Sequence, residues 1–153
     1  MGIGGQQVTI VVDVANVMGS RPDGWWRDRP GAAVRLHDEI VRLVQSGRTI
    51  LPDGPDASGP GFVMVLEGAA RAAAARLPAA EPDTDAGGTG PARPGEVRVV
   101  QARGSGDDAI VAVVRELPGR RVVVTADREL RARCVAAGAE ILGPGWLLGL
   151  LRG

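Results

Sequence analysis

Four short apolar runs in this sequence are each followed by acidic residues: VTIVV by Asp13, FVMVL by Glu67, VVQARGSG by Asp107 and Asp108, and VVVTA by Asp127. Carboxylates drawn together repel one another and their pKa values rise unless a cation lies between them. The chain contains no lysine, and its 18 basic residues are all arginine. Near the ends of these runs stand only Arg103, within VVQARGSG, and Arg128, beside Asp127. A hard divalent cation, Mg²⁺ or Mn²⁺, takes oxygen ligands and is the natural neutraliser. His37 and Cys134 are the only soft ligands, which makes zinc a poor fit. Bound to such a cluster, a divalent ion activates water, aligns it with a phosphorus atom and stabilises the leaving oxygen. That chemistry requires neither a catalytic histidine nor a nucleophilic serine.

Each acidic residue also has a purely structural reading. Ser105 is a good N-cap with Asp108 at N3, and Thr125 is placed to cap the next helix with Asp127 at N2. Acidic residues in a first turn complement the helix dipole by about 0.3–1 kcal/mol. Glu67 also reads as a solvated strand end. Asp13 is harder to account for this way, because it closes a run of Val and Ile where an ionised carboxylate is costly without a partner.

The elements that must position these residues follow from the pattern. Five apolar runs rich in β-branched residues read as strands: Val8–Val14, Gly61–Leu66, Val97–Gln101, Arg121–Thr125 and Ala139–Leu142. Their near-continuous hydrophobicity indicates a parallel sheet covered on both faces. Helical patterns span Gly31–Ser46, Ala69–Leu77, Asp107–Leu117, Arg128–Ala137 and Pro144–Leu151. The alternation predicts a single α/β domain over residues 1–153, a three-layer α/β/α sandwich with a five-stranded, mainly parallel central sheet. Ligands of such sheets bind beyond the carboxyl ends of the strands, where the acidic residues fall. Two Gly/Pro-rich segments, at about 51–60 and 78–95, fit neither element type and read as mobile surface insertions.

The pieces VVDVANV, VMVLEG, GSGDDAIVAVV and VVVTADREL, in this order and with this strand–helix rhythm, resemble the PIN-like nuclease superfamily, in particular the NYN branch with its YacP-type proteins. The resemblance runs from Val8 to Leu151. It implies a Mg²⁺- or Mn²⁺-dependent ribonuclease acting on RNA. Asp13, Asp107, Asp108 and Asp127 would then be the catalytic, metal-holding set. Asn16 would orient Asp13 or substrate, Thr125 would support the Asp127 loop, and Ser105 and Glu67 would assist. NYN proteins often carry Asp where this chain has Glu67, a longer side chain with the same charge.

The stretch GSRPDGWWRDRPG sets Trp25 and Trp26 among Arg21, Arg27 and Arg29, a combination able to stack on bases and grip phosphates, although Asp23 and Asp28 dilute its charge. Arg128 is a further candidate for substrate. The competing reading packs one Trp into the core and lays the other over a helix. His37 reads as a boundary or solvent-facing residue and Cys134 as core. GIGG at residues 2–5 precedes the first strand, whereas a dinucleotide fingerprint follows it.

Composition bounds the alternatives. Of 153 residues, 44% are hydrophobic and only 3% aromatic, so the core rests on Val, Leu, Ile and Ala. Eighteen acidic residues balance the arginines, leaving no global attraction to nucleic acid. That neutrality favours, as the main alternative, a non-catalytic RNA- or protein-binding module on the same scaffold. A haloacid-dehalogenase-like phosphatase with Asp13 as nucleophile ranks lower, because Ala15 occupies the place of that family's second Asp and the chain has no Lys. A single cysteine suits a reducing compartment. Neither a signal peptide nor a run of about 20 apolar residues is present, so a cytoplasmic location is expected. The apolar GWLLGLLRG at residues 145–153 would serve a homodimer, although packing on the sheet is the simpler account.

Overall fold

The computed structural model describes residues 8–49, 51–52, 59–77 and 95–152. Most of the two Gly/Pro-rich segments (53–58 and 78–94) and the GIGG stretch lie outside the described residues. Five strands, β1 (Val8–Asp13), β2 (Gly61–Leu66), β3 (Val97–Gln101), β4 (Arg120–Val124) and β5 (Glu140–Leu142), form one sheet in the order β3-β2-β1-β4-β5. Every pairing is parallel, so the sheet expected to be mainly parallel is wholly so.

The continuous apolar runs arise because both sheet faces are covered. Ile10, Val12, Phe62, Met64, Leu66, Val122 and Val124 point to one core layer. Val11, Val63, Val65 and Val123 point to the other. The first layer is closed by α1 (Val14–Gly19), α2 (Arg29–Ser46), a 3₁₀ segment over Gly68–Arg76 and α5 (Pro144–Arg152). The second is closed by α3 (Gly106–Glu116) and α4 (Arg128–Ala136). The result is the three-layer sandwich expected from the alternation of elements.

Several details differ from the sequence reading. The apolar run through Val14 is not all strand: Asp13 caps a short helix, α1, whose Val-rich sequence reads as more strand. The Ala/Arg segment is a 3₁₀ helix rather than an α-helix, and its buried Ala70 and Ala73 recur at the three-residue period of that form. α2 begins at Arg29, two residues early, because Asp28 caps it through the Gly31 N–H at 3.0 Å and Pro30 occupies its first turn. The C-terminal helix α5 packs its Leu147 and Leu148 against the sheet. His37 is buried rather than at a boundary, with Nδ1 3.3 Å from Asp38 Oδ1. Cys134 lies in the second core layer, where burial pushes its thiol pKa up. No helix among the described residues is long and apolar enough to cross a membrane.

Candidate active site at the carboxyl edge of the sheet

β1 lies at the centre of the sheet, with β2 on one side and β4 on the other. The connection through α2 leads to β2 on one face, whereas α3 crosses on the opposite face to β4. The carboxyl ends of β1 and β4 therefore flank the point where the chain reverses its winding, the place such sheets bind ligands.

Asp13 stands there. It is 6% exposed, yet each carboxylate oxygen has a partner. Oδ1 accepts the Asn16 N–H at 3.3 Å, and Oδ2 accepts the Thr125 hydroxyl at 2.9 Å. Burial raises its pKa to about 6, against those two hydrogen bonds and with the charges of Asp107 and Glu67 adding to the rise. Thr125 follows β4 directly and serves two purposes. Its hydroxyl donates to Asp13 and accepts the Asp127 N–H at 3.2 Å. Asn16 completes the link, because its Oδ1 accepts the Ala126 N–H at 2.9 Å. The ends of β1 and β4 are thus tied side chain to backbone across 110 residues of sequence.

The other acidic residues divide into two groups. Asp107, in the first turn of α3, is half-buried, and no hydrogen-bond donor among the described residues meets its carboxylate. Its pKa is raised, first by burial and then by the charges of Asp127, Glu67 and Glu129, with Arg133 opposing. Glu67 reaches over from the end of β2 to accept the Gly106 N–H at 2.8 Å, at the start of α3. A Cβ at Gly106 would stand 2.5 Å from the Glu67 carboxyl carbon, so a larger residue there would push this side chain aside. The charges of Asp107 and Glu67 act on Asp13, and those of Asp127 and Glu67 act on Asp107.

Asp108 does not join them. It is exposed and pairs with Arg133 of α4 at 2.9 Å, because one helical step turns it away from the sheet edge. Ser105 caps α3 as expected, with its Oγ 3.4 Å from the Asp108 N–H, but the Asp108 side chain does not reciprocate. Asp127, expected inside the first turn of α4 with Thr125 as cap, is itself the N-cap and accepts the Leu130 N–H at 3.0 Å. Among the described residues, no three His, Cys, Asp or Glu side chains stand close enough to enclose a metal ion. The four-aspartate ligand set expected from the sequence is thus not assembled as one enclosing group: Asp108 turns away to Arg133, and Asp13, Asp107 and Asp127 remain at the carboxyl edge. Sequence reasoning missed Glu129 and Arg133, both near Asp107 in charge; their place in the helix that follows Asp127 was the available signal.

Away from this cluster, Arg21 forms a two-pronged pair with Glu39 at 2.7 and 3.1 Å, so its charge is used within the fold. Trp25 packs partly against the core, whereas Trp26 is exposed. Arg128 is exposed beside Asp127.

No protein-family model and no curated protein matches the sequence. The structure does find a counterpart. A crystal structure of Rae1 (YacP) from Bacillus subtilis superposes with a TM-score of 0.64, covering 95% of this chain and 76% of that one at 16% identity. The fold is YacP-like. At that identity the likeness lies in the path of the chain, a parallel sheet covered by helices on both faces.

Proposed function

We propose that this chain is a metal-dependent ribonuclease whose centre is Asp13, with Asp107 as its closest working partner. The observation that supports the reading best is the buried Asp13 carboxylate at the β1–β4 switch point, clamped by Thr125 and raised to a pKa of about 6. A protein that only needed a stable edge gains nothing from a desolvated acid facing other acids. The donors are all oxygens, which suits Mg²⁺ or Mn²⁺. Their open spacing suits an ion held through one or two carboxylates, with water and substrate phosphate in the remaining positions. Asp13 and Asp107 are the residues that would hold it. When bound, such an ion lowers the pKa of a water and stabilises charge on the leaving oxygen.

The chain's own groups do the rest. The Thr125 hydroxyl and the Asn16 N–H fix the Asp13 carboxylate in one orientation, so it needs no reorganisation when substrate arrives. Glu67 and Asp127 hold the starts of α3 and α4 in register with that carboxylate. RNA is the substrate class that the resemblance to NYN proteins implies.

The test incubates purified protein with labelled single-stranded RNA and Mn²⁺, beside Asp13→Asn and an EDTA control. Cleavage that is lost in both controls is the expected result. Intact RNA in every lane, with no Mn²⁺ binding by calorimetry, would remove the nuclease reading and leave a binding module on the same scaffold.

A further inference from the structure

The turn between α1 and α2 carries an arrangement that the acidic site does not use. Gly24, at φ +76°, opens a single 3₁₀ turn over Trp25–Arg27. The turn is closed by Arg27 N–H to Gly24 O at 3.0 Å and Asp28 N–H to Trp25 O at 3.3 Å. Trp25 is half-buried against the first core layer. Trp26 meets it edge-on, with ring centroids 6.0 Å apart at 90°, and is itself 55% exposed. The Arg27 guanidinium lies 5.8 Å from the Trp26 ring centre, and that of Arg29 lies 5.4 Å from the Trp25 ring centre.

The charges in this turn are unevenly used. Asp28 is held at the α2 N-terminus by the Gly31 N–H, and Arg21 is held by Glu39. Arg27 and Arg29 meet no carboxylate among the described residues. A lone exposed apolar residue is ordinary on any surface. An exposed indole met edge-on by a second indole, with Arg27 beside its own ring and Arg29 beside its neighbour's, is a different object. Asp23 and Asp28 lower the net charge of the turn, but neither pairs with these two guanidiniums among the described residues, so a π-face and two cationic donors stand side by side.

Its position follows from the fold. Val44, near the end of α2, approaches Gly95 at the amino start of β3, so α2 finishes at the amino edge of the sheet. An 18-residue helix is about 27 Å long, and a six-residue strand is about 20 Å. The first turn of α2, with the tryptophans just before it, therefore stands at the carboxyl edge, the edge that holds Asp13.

We propose that Trp26 is the stacking platform for an unpaired base of single-stranded RNA, with Arg27 and Arg29 contacting the flanking phosphates. Every base has a π-face, and stacking on an exposed aromatic side chain beside cations is how single strands are held without sequence readout. A duplex keeps its bases stacked on each other and cannot offer one to Trp26. The choice of RNA rests on the nuclease reading of the acidic site. The stacking itself does not.

The test is binding of a short fluorescein-labelled oligouridylate by anisotropy in EDTA, where no cleavage occurs, with an RNA duplex of the same length alongside. Trp26→Ala should weaken oligouridylate binding roughly tenfold or more and leave duplex binding little changed, while Trp26→Phe should retain most of the affinity. Arg27→Ala should weaken binding and flatten its salt dependence. Trp26 is exposed, so the fold tolerates its replacement, and an unchanged circular dichroism spectrum checks this. Equal oligouridylate affinity in wild type and Trp26→Ala, equal losses on single strand and duplex, or no wild-type binding would each overturn the proposal. Asp13→Asn with Mn²⁺ keeps the two readings apart. A Trp26-dependent affinity without any cleavage leaves the platform standing and removes the nuclease, and cleavage without a Trp26 effect does the reverse.

Discussion

At the scale of single residues, the acidic groups of the carboxyl edge serve two kinds of role, and Asp127 is where they overlap. Its carboxylate caps α4 through the Leu130 N–H, and its backbone N–H is held by Thr125. Asn caps a helix about as well as Asp, whereas Ala does not, at a cost of about 1 kcal/mol. Asp127→Asn should thus leave the melting temperature nearly unchanged, while Asp127→Ala lowers stability by about that amount. If the charge serves catalysis, both variants lose Mn²⁺-dependent cleavage. Full activity in Asp127→Asn would make the residue a cap and nothing more. The sequence marked Asp127 as near a helix start but misplaced the cap by two residues, because Thr125 and Asp127 are both good capping types. Only the direction of the Thr125 hydroxyl, toward Asp13, frees Asp127 for that role.

Secondary structure elements were legible to the extent that local patterning dictates them. β2 and β3 fall on their expected bounds because turn-forming residues bracket their apolar runs. α1 was not anticipated: the strand reading ran through Val14 and assigned nothing to the residues after it, whereas Asp13 caps a six-residue helix there. The long helix α2 ends as the sequence predicts. Gly47 takes φ +69° and donates its N–H to Val44 O at 3.1 Å. A Cβ at Gly47 would meet nothing within 4 Å, so Gly47→Ala isolates the backbone cost of a left-handed residue. Chemical denaturation should show a loss of about 1 kcal/mol with no change in oligouridylate binding. A neutral result would mean that the helix end relaxes into another conformation.

For the whole molecule, the balance of 18 acidic and 18 basic residues means that any attraction for RNA is local. The acidic edge also sets a pH dependence. A carboxylate whose folded pKa rises from 3.8 to about 6 binds its proton more tightly in the folded state than in the unfolded one. Its contribution to stability is therefore fully present below pH 4 and is lost as pH rises through about 6. A shift of that size corresponds to about 3 kcal/mol as an upper figure. Asp107, raised in the same direction, adds to the same trend. Denaturation in EDTA should show wild type losing stability relative to Asp13→Asn between those two pH values, with carboxylates remote from Asp13 cancelling in the difference. Added Mn²⁺ should recover the loss. A difference that stays flat with pH would show that Asp13 is not strained in the folded protein.

The sequence by itself determined the layered α/β architecture, the number and approximate bounds of the strands, and the gathering of acidic residues at their carboxyl ends. Those properties follow from apolar periodicity and from the rule that parallel strands share one exit edge. Tertiary structure alone decided how the acids divide. Asp13 is sealed and clamped by Thr125, Glu67 reaches across to Gly106, and Asp108 turns outward to Arg133. These partners lie 112, 39 and 25 residues apart in the chain, so their meeting depends on strand order and helix rotation, which no local pattern encodes.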